Sequence, residues 1–297
     1  MRSGPLAVAT IFLSASTFAG EIREFDVPTV ERLGRELYER DEIAAKGTDL
    51  VLERYPKSKK EWLGWVTEPT ESGDRLYVVT DGESGLMQGY VAMFPKSGES
   101  SVHDRRSDPL PEHLKRRFKA RLTAIAAAKP KMFSKVDNYN VEVLDDPDGS
   151  GFLVYCLAYI KPDEIVLGGH IRVTVSADGE KAEQVDAFSN TLVTSPPPPK
   201  GAKKGEKPFI VSMSQAVSNM PLETCVYISF HHNVIASVGT MDGLVWMFVR
   251  DKIYMMDSKG DAHKVATAED VKQLREQVKA RRDTGEPVEK AQTEEKK

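Results

Sequence analysis

The chain has only two cysteines in 297 residues, 8% aromatic residues and a formal net charge of just −4. Two cysteines exclude a disulfide-dense miniprotein and a multi-cysteine zinc module. The small acidic excess argues against a dedicated nucleic-acid binder, whose phosphate contacts need basic charge. Past residue 20 no run approaches the ~18 apolar residues of a membrane helix, so no span is expected in the mature chain. The chain also lacks a P-loop, G-x-G-x-x-G, His-Glu-x-x-His, Cys-x-x-Cys and an Asn-x-Ser/Thr sequon. With those absent, no cofactor and no metal is expected. What is there, 40% hydrophobic and 29% charged residues, is the balance of a globular chain with a core.

The first twenty residues, MRSGPLAVATIFLSASTFAG, follow the grammar of a secretory signal. Arg2 supplies the positive start, Leu6 to Phe18 the apolar stretch, and Thr17 and Ala19 the small residues before a cut near Ala19. The expected product is an exported protein, periplasmic or secreted, with residues 1–19 removed. An oxidising compartment permits a bridge between Cys156 and Cys225. Both sit in apolar runs, so two buried, unlinked thiols remain the alternative.

A helix is predicted from a cap at Thr29 towards Tyr55, on Val30, Leu33, Leu37, Ala44 and Val51, with Asp41 and Gly47 interrupting the stripe. Residues 62–94 change to short β-branched and aromatic runs separated by turn compositions, which predicts two hairpins. Trp62 and Trp65 fall on opposite faces of the first of them. A polar loop is expected over 95–109. A second helix follows, with Leu114, Phe118, Leu122 and Ile125 as its apolar stripe and Lys115, Arg116, Arg117, Lys119 and Arg121 on its remaining surface.

From Tyr139 to Phe188 two more hairpins are predicted, turning at DDPDGSG and at Asp178-Gly179. FLVYCLAYI is apolar on both faces, which places it centrally in a sheet. Residues 195–208, rich in proline and lysine, read as an insertion. TCVYISFHH, NVIASVGT, LVWMFV and KIYMMD then read as a meander of strands. A last helix opens at Thr267 with a capping box to Asp270, and the charged tail 283–297 is expected to be disordered. The sum is an α+β fold: a largely antiparallel sheet of hairpins and meanders, about ten strands, with two or three packed helices in a single domain over 20–282. No βαβ alternation is expected.

Catalytic signals are thin. Gly82-Glu83-Ser84-Gly85 reads as a turn and not a serine elbow. Cys156 beside His170 reads as a buried thiol, since apolar surroundings raise its pKa. Asp145-Asp146-Pro147-Asp148-Gly149 lacks the distal ligand of a calcium loop. His231 and His232, read as neighbours in a strand, point apart. The basic residues Lys115, Arg116 and Lys119 with Lys200, Lys203 and Lys204 are candidate contacts for an envelope protein or an anionic surface.

The segments LGRELYERDEIAAKGTDLV and GGHIRVTVSADGEKAEQVDAFSN resemble a group of uncharacterised exported proteins of Gram-negative bacteria. That resemblance implies export and no particular activity. The expectation is therefore a non-enzymatic binding or envelope-associated protein. The alternative is an exported hydrolase with a polar site of His170, Arg172, Ser229 and His231, which requires those four side chains to converge in one cleft.

Overall fold

A computed structural model of the protein describes residues 22–83, 85–160, 164–198, 209–257 and 260–284. The expected signal segment 1–19, Ser84, Lys200, Lys203, Lys204 and the tail beyond Thr284 lie outside the described residues. The fold is α+β and mostly antiparallel.

The chain enters through α1 (Val27–Arg54), capped by Asp26, whose carboxylate accepts the Thr29 N–H at 2.9 Å. Thr29 is thus the first-turn donor and not the cap. Pro28 suits the first turn, where its missing N–H costs nothing. The expected interruption does not occur. Asp41 is buried among polar partners, and a side chain at Gly47 would meet Leu76 at 2.6 Å, so glycine there permits close approach to a sheet.

The first sheet runs in order through β1 (Trp62–Thr70), β2 (Gly73–Gly82), β3 (Gly85–Pro95) and β4 (Ser101–Pro109). The polar stretch expected as a loop is β4, an exposed edge strand whose alternating charges suit a solvent-facing edge. A register shift at Trp62/Gly64 brings Trp62 and Trp65 against the same core cluster, not onto opposite faces.

Helix α2 (Glu112–Ala128) buries Leu114, Phe118, Ala120, Arg121, Ala124 and Ala128. Leu122, expected in the stripe, is 48% exposed, while Arg121, expected on the surface, is buried. The second sheet is built from β5 (Asn138–Asp145) and β6 (Phe152–Tyr159) and continues into β8 (Ile171–Val175) and β9 (Ala182–Ala187), in order β5-β6-β8-β9. Between them β7 (Ile165–Gly168) leaves to pair with β10 (Val193–Ser195). Both predicted hairpins form, and β6 is interior to its sheet, as two-sided apolarity requires.

The third sheet contains β11 (Ile210–Gln215), β12 (Ile235–Thr240), β13 (Val245–Val249), β14 (Lys252–Met256) and β15 (Ala262–Lys264). Helix α3 (Glu223–His231) joins β11 to β12, which pair in parallel, so one βαβ unit is present after all. The segment read as a first meander strand is this helix. It is buried on nearly every side, which erases the apolar period that marks a surface helix. Helix α4 (Ala268–Thr284) begins with the capping box: the Thr267 hydroxyl accepts the Asp270 N–H, and Asp270 accepts the Thr267 N–H. Its Val271 and Leu274 reach the largest core cluster.

Helices α1 and α2 each serve two cores. The first half of α1 (Val30, Leu33, Leu37) packs with α3 and one face of the second sheet, and its second half (Ala44, Val51) packs on Leu76, Val78 and Ala92 of the first. Likewise Leu114 and Phe118 of α2 cover the other face of the first sheet, while Ala120, Ala124 and Ala128 lie on Val154, Cys156 and Val173 of the second.

Candidate functional site

The second sheet carries a polar row across its buried face. Register aligns Glu142 of β5 with Tyr155 of β6, Tyr155 with Arg172 of β8, and Arg172 with Asp186 of β9. All four are buried. Helix α3 lies over this row and presents Glu223, Tyr227 and His231 at four-residue spacing, one helical stripe.

At one end Arg172 is fully enclosed. Its Nε and Nη2 donate to Asp186 at 3.1 and 2.6 Å, Nη1 donates to Glu223, and Nη2 also reaches the Arg23 carbonyl oxygen. The Tyr155 hydroxyl donates to Glu223 at 2.9 Å, and the rings of Phe25 and Phe188 flank the guanidinium. Arg23 itself grips Asp146 at 2.7 Å and Asp148 at 2.9 Å, so the acidic turn holds an arginine.

At the other end Asp41 of α1 accepts from the Tyr227 hydroxyl at 2.8 Å and from Asn140 at 3.4 Å, and His231 stands 3.5 Å away. Burial raises the Asp41 carboxyl, with His231 opposing. Glu142 accepts from Trp65 Nε1 at 3.2 Å and from Thr67 at 3.4 Å. Burial pushes its carboxyl up to about 7, helped by the neighbouring Asp41 and resisted by Arg121. Arg121 donates to the Val141 carbonyl oxygen and lies over the Trp65 ring at 4.1 Å. This cluster clamps α1, α2, α3, the first sheet and the second sheet together.

The four residues of the hydrolase alternative do not converge. His170 accepts the Ala158 N–H on Nδ1 and donates from Nε2 to the Val166 carbonyl oxygen, and burial lowers its pKa to about 4. It is a neutral, satisfied core histidine. Arg172 is consumed by its carboxylates. The Ser229 hydroxyl has its one proton between the Val234 and Phe248 carbonyl oxygens, at 2.6 and 3.1 Å, and accepts the Arg250 N–H, bracing the β13–β14 turn. His231 pairs with Asp41 and stacks on Tyr227. His231 and His232 close a helix and not a strand, with ring centroids 4.7 Å apart. Among the described residues no group of three or more His, Cys, Asp or Glu side chains is placed to hold a metal ion.

Cys156 and Cys225 are free and buried, in different core clusters, and burial pushes both thiols up to about 12. The candidate bridge is therefore not formed; of the two alternatives, the buried unlinked thiols are what the structure contains. Among the candidate anion contacts, Lys115 lies 3.6 Å from Glu112 and Lys119 2.8 Å from Glu180, so both are already neutralised in part. Arg116 is exposed.

The open concavities lie elsewhere. A cleft of about 450 Å³ runs along α1, lined by Pro28, Glu31, Arg32, Arg35, Glu36, Glu39, Arg40 and Pro69. A smaller groove of about 290 Å³ lies on the first sheet around Tyr77 and Arg105. Sequence reasoning missed Arg40, Asp41 and Glu142. A signal existed for Glu142, since it alternates with Val141 and Val143 beside a strand apolar on both faces. An α+β protein with a buried polar row and charged surface clefts is the class this geometry defines. The chain matches no protein-family model and no curated protein sequence.

Proposed function

We propose that the protein is exported and acts by binding, without catalysing a reaction, in the bacterial envelope or outside the cell, its ligand seated in the cleft along α1. The observation that carries this reading is the division of labour among polar side chains. Of the residues an enzyme could have used, His170, Arg172 and Ser229 are enclosed and spent on structural bonds, whereas the cleft along α1 is lined by Arg, Glu and Pro, with no Ser, Cys, His or Lys. Export draws support from the signal grammar of residues 1–19. No helix among the described residues is long and apolar enough to cross a membrane.

The test is expression of the full chain in a Gram-negative host, followed by fractionation and intact mass. A periplasmic or external product beginning at Gly20 is expected. A cytoplasmic product that keeps residues 1–19 would overturn the export half of the reading. The binding half is tested by ligand screening, with release of product from generic ester, peptide and glycoside substrates as the result that would sink it.

A further inference from the structure

We propose that the outer face of the third sheet is the contact surface of a dimer, and that what covers it is the same face of a second copy of this chain. The proposal is independent of the cleft along α1 and of any ligand seated there.

Alternation along the strands divides this sheet into two faces. Val211, Ala236, Trp246, Phe248, Ile253 and Met255 point inward and are buried. A sheet with its other face in water ordinarily sets polar side chains outward. Here the outward positions include Ile235, Val245, Met247, Val249, Tyr254 and Met256, none of them buried and none part of any of the four core clusters. At the β11 edge Ile210 is 53% exposed. No outward position of the five strands is Asp or Glu, and the charges there are Lys252 and Lys264 on the β14–β15 side. A contiguous apolar face left open in this way marks an interaction surface.

The relief of the face selects the partner. Register aligns Ser212, Ser237, Met247, Tyr254 and Lys264 in one row across the sheet. The next row is Ser214, Gly239, Val245, Met256 and Ala262. Both rows are low over β11 and β12 and high over β14, and a Cβ at Gly239 would meet nothing within 4 Å. A two-fold axis along β13 lays each row on its own reverse. Tyr254 then meets Ser237 of the other copy, Met256 meets Gly239, and Met247 and Val245 meet their counterparts. Lys264 comes over Ser212, whose hydroxyl accepts. Stacked sheets interdigitate in this manner at a spacing of about 10 Å. A lipid surface, the competing partner for an apolar face with lysines at one side, has no use for the step in height.

Five strands about 4.8 Å apart and about 17 Å long give a footprint of roughly 400 Å² per copy. Both copies together bury roughly 800 Å², the small end of specific interfaces, so the expected dimer is reversible, with a dissociation constant of about 10–100 μM.

Sedimentation velocity of the full chain from about 1 to 500 μM tests this, with monomer expected at the low end and dimer at the high end. Met247→Glu sets a carboxylate against its own counterpart on the axis and should weaken the dimer about tenfold or more. Gly239→Val separates loss of contact from loss of fold. Within one chain the added atoms enter open space and valine suits a strand, so the melting temperature at about 1 μM should hold or rise. Across the axis they displace Met256, and the dimer should weaken about tenfold. A chain that stays monomeric at about 500 μM, or a dimer of unchanged strength in Met247→Glu, would overturn the proposal. A dimer lost in Met247→Glu but untouched in Gly239→Val would overturn the axis along β13. A monomer that cosediments with phosphatidylglycerol vesicles, and no longer does so as Met247→Glu, would overturn the second copy and assign the face to lipid.

Discussion

At the residue scale, Arg172 shows what a buried ion is for in this fold. It has no exposed surface and faces Asp186 and Glu223, themselves nearly sealed. Replacing it by Met strands two carboxylates, and the expected loss is about 3–5 kcal/mol by chemical denaturation. Two other buried groups set opposing pH dependences. His170 titrates at about 4 in the fold against 6.5 when free, so the unfolded chain takes up its proton first, and stability falls as pH drops from 6.5 towards 4. Glu142 titrates at about 7 against 4.5, so the unfolded chain loses its proton first, and stability falls as pH rises from 4.5 to 7. Each swing is of order 3 kcal/mol at most, and between pH 4.5 and 6.5 they offset. Glu142→Gln keeps an acceptor for Trp65 and removes the second swing. The variant should gain stability over the wild type at pH 8 and not at pH 4.5, which denaturation curves at the two values will show. The thiols give a simpler test. With no reductant present, neither Cys156 nor Cys225 should react with an aromatic disulfide reagent at pH 8 until the chain unfolds, and two thiols should then appear.

At the scale of elements, α1 and α3 meet through a glycine. A side chain at Gly34 would lie 2.4 Å from the Val226 Cβ and 2.5 Å from the Glu223 carbonyl oxygen. Gly34→Ala gains helix propensity but must push α3 away, along with the Glu223 that holds Arg172. A net loss of about 1–3 kcal/mol is expected, and Val226→Ala should not restore it, because alanine keeps the Cβ that clashes; urea titration of the single and double variants measures both. The same helix pair marks the boundary of legibility. The stripe of α1 was readable because its faces differ, Val30, Leu33 and Leu37 inward and charges outward. Helix α3 was not, because Cys225, Val226, Tyr227, Ile228 and Ser229 are all buried and β-branched or aromatic residues fit a strand as well. Its one helical trace was polar, Glu223, Tyr227 and His231 at four-residue spacing. In β4 the error ran the other way: a strand with no apolar face reads as a loop, and only its pairing with β3 makes it one.

At the scale of the whole molecule, α1 and α2 each bind the first sheet to the second, so neither sheet is expected to unfold alone. Trp65 lies by the first sheet and Trp246 in the core of the third. Fluorescence from a Trp62→Phe/Trp65→Phe double variant and from Trp246→Phe should report one shared denaturation midpoint for the residual signals. Phe118→Ala, which opens the α2 contact with the first sheet, should cost about 3–5 kcal/mol of unfolding free energy and lower that midpoint equally for both reporters. Two separate transitions would show independent halves. What the sequence by itself determined was local: which segments alternate, which turn, where α4 is capped, and that β6 is covered on both sides. These follow from near-neighbour chemistry and the periods of strand and helix. The tertiary structure alone decided the polar row. Glu142, Tyr155, Arg172 and Asp186 become neighbours only when four strands align in register, and Asp41 joins them only when α1 is laid across the sheet. The cleft has the same origin, because the side chains of α1 form its wall only where Pro69 of the first sheet stands beside them, and no stretch of sequence contains that placement.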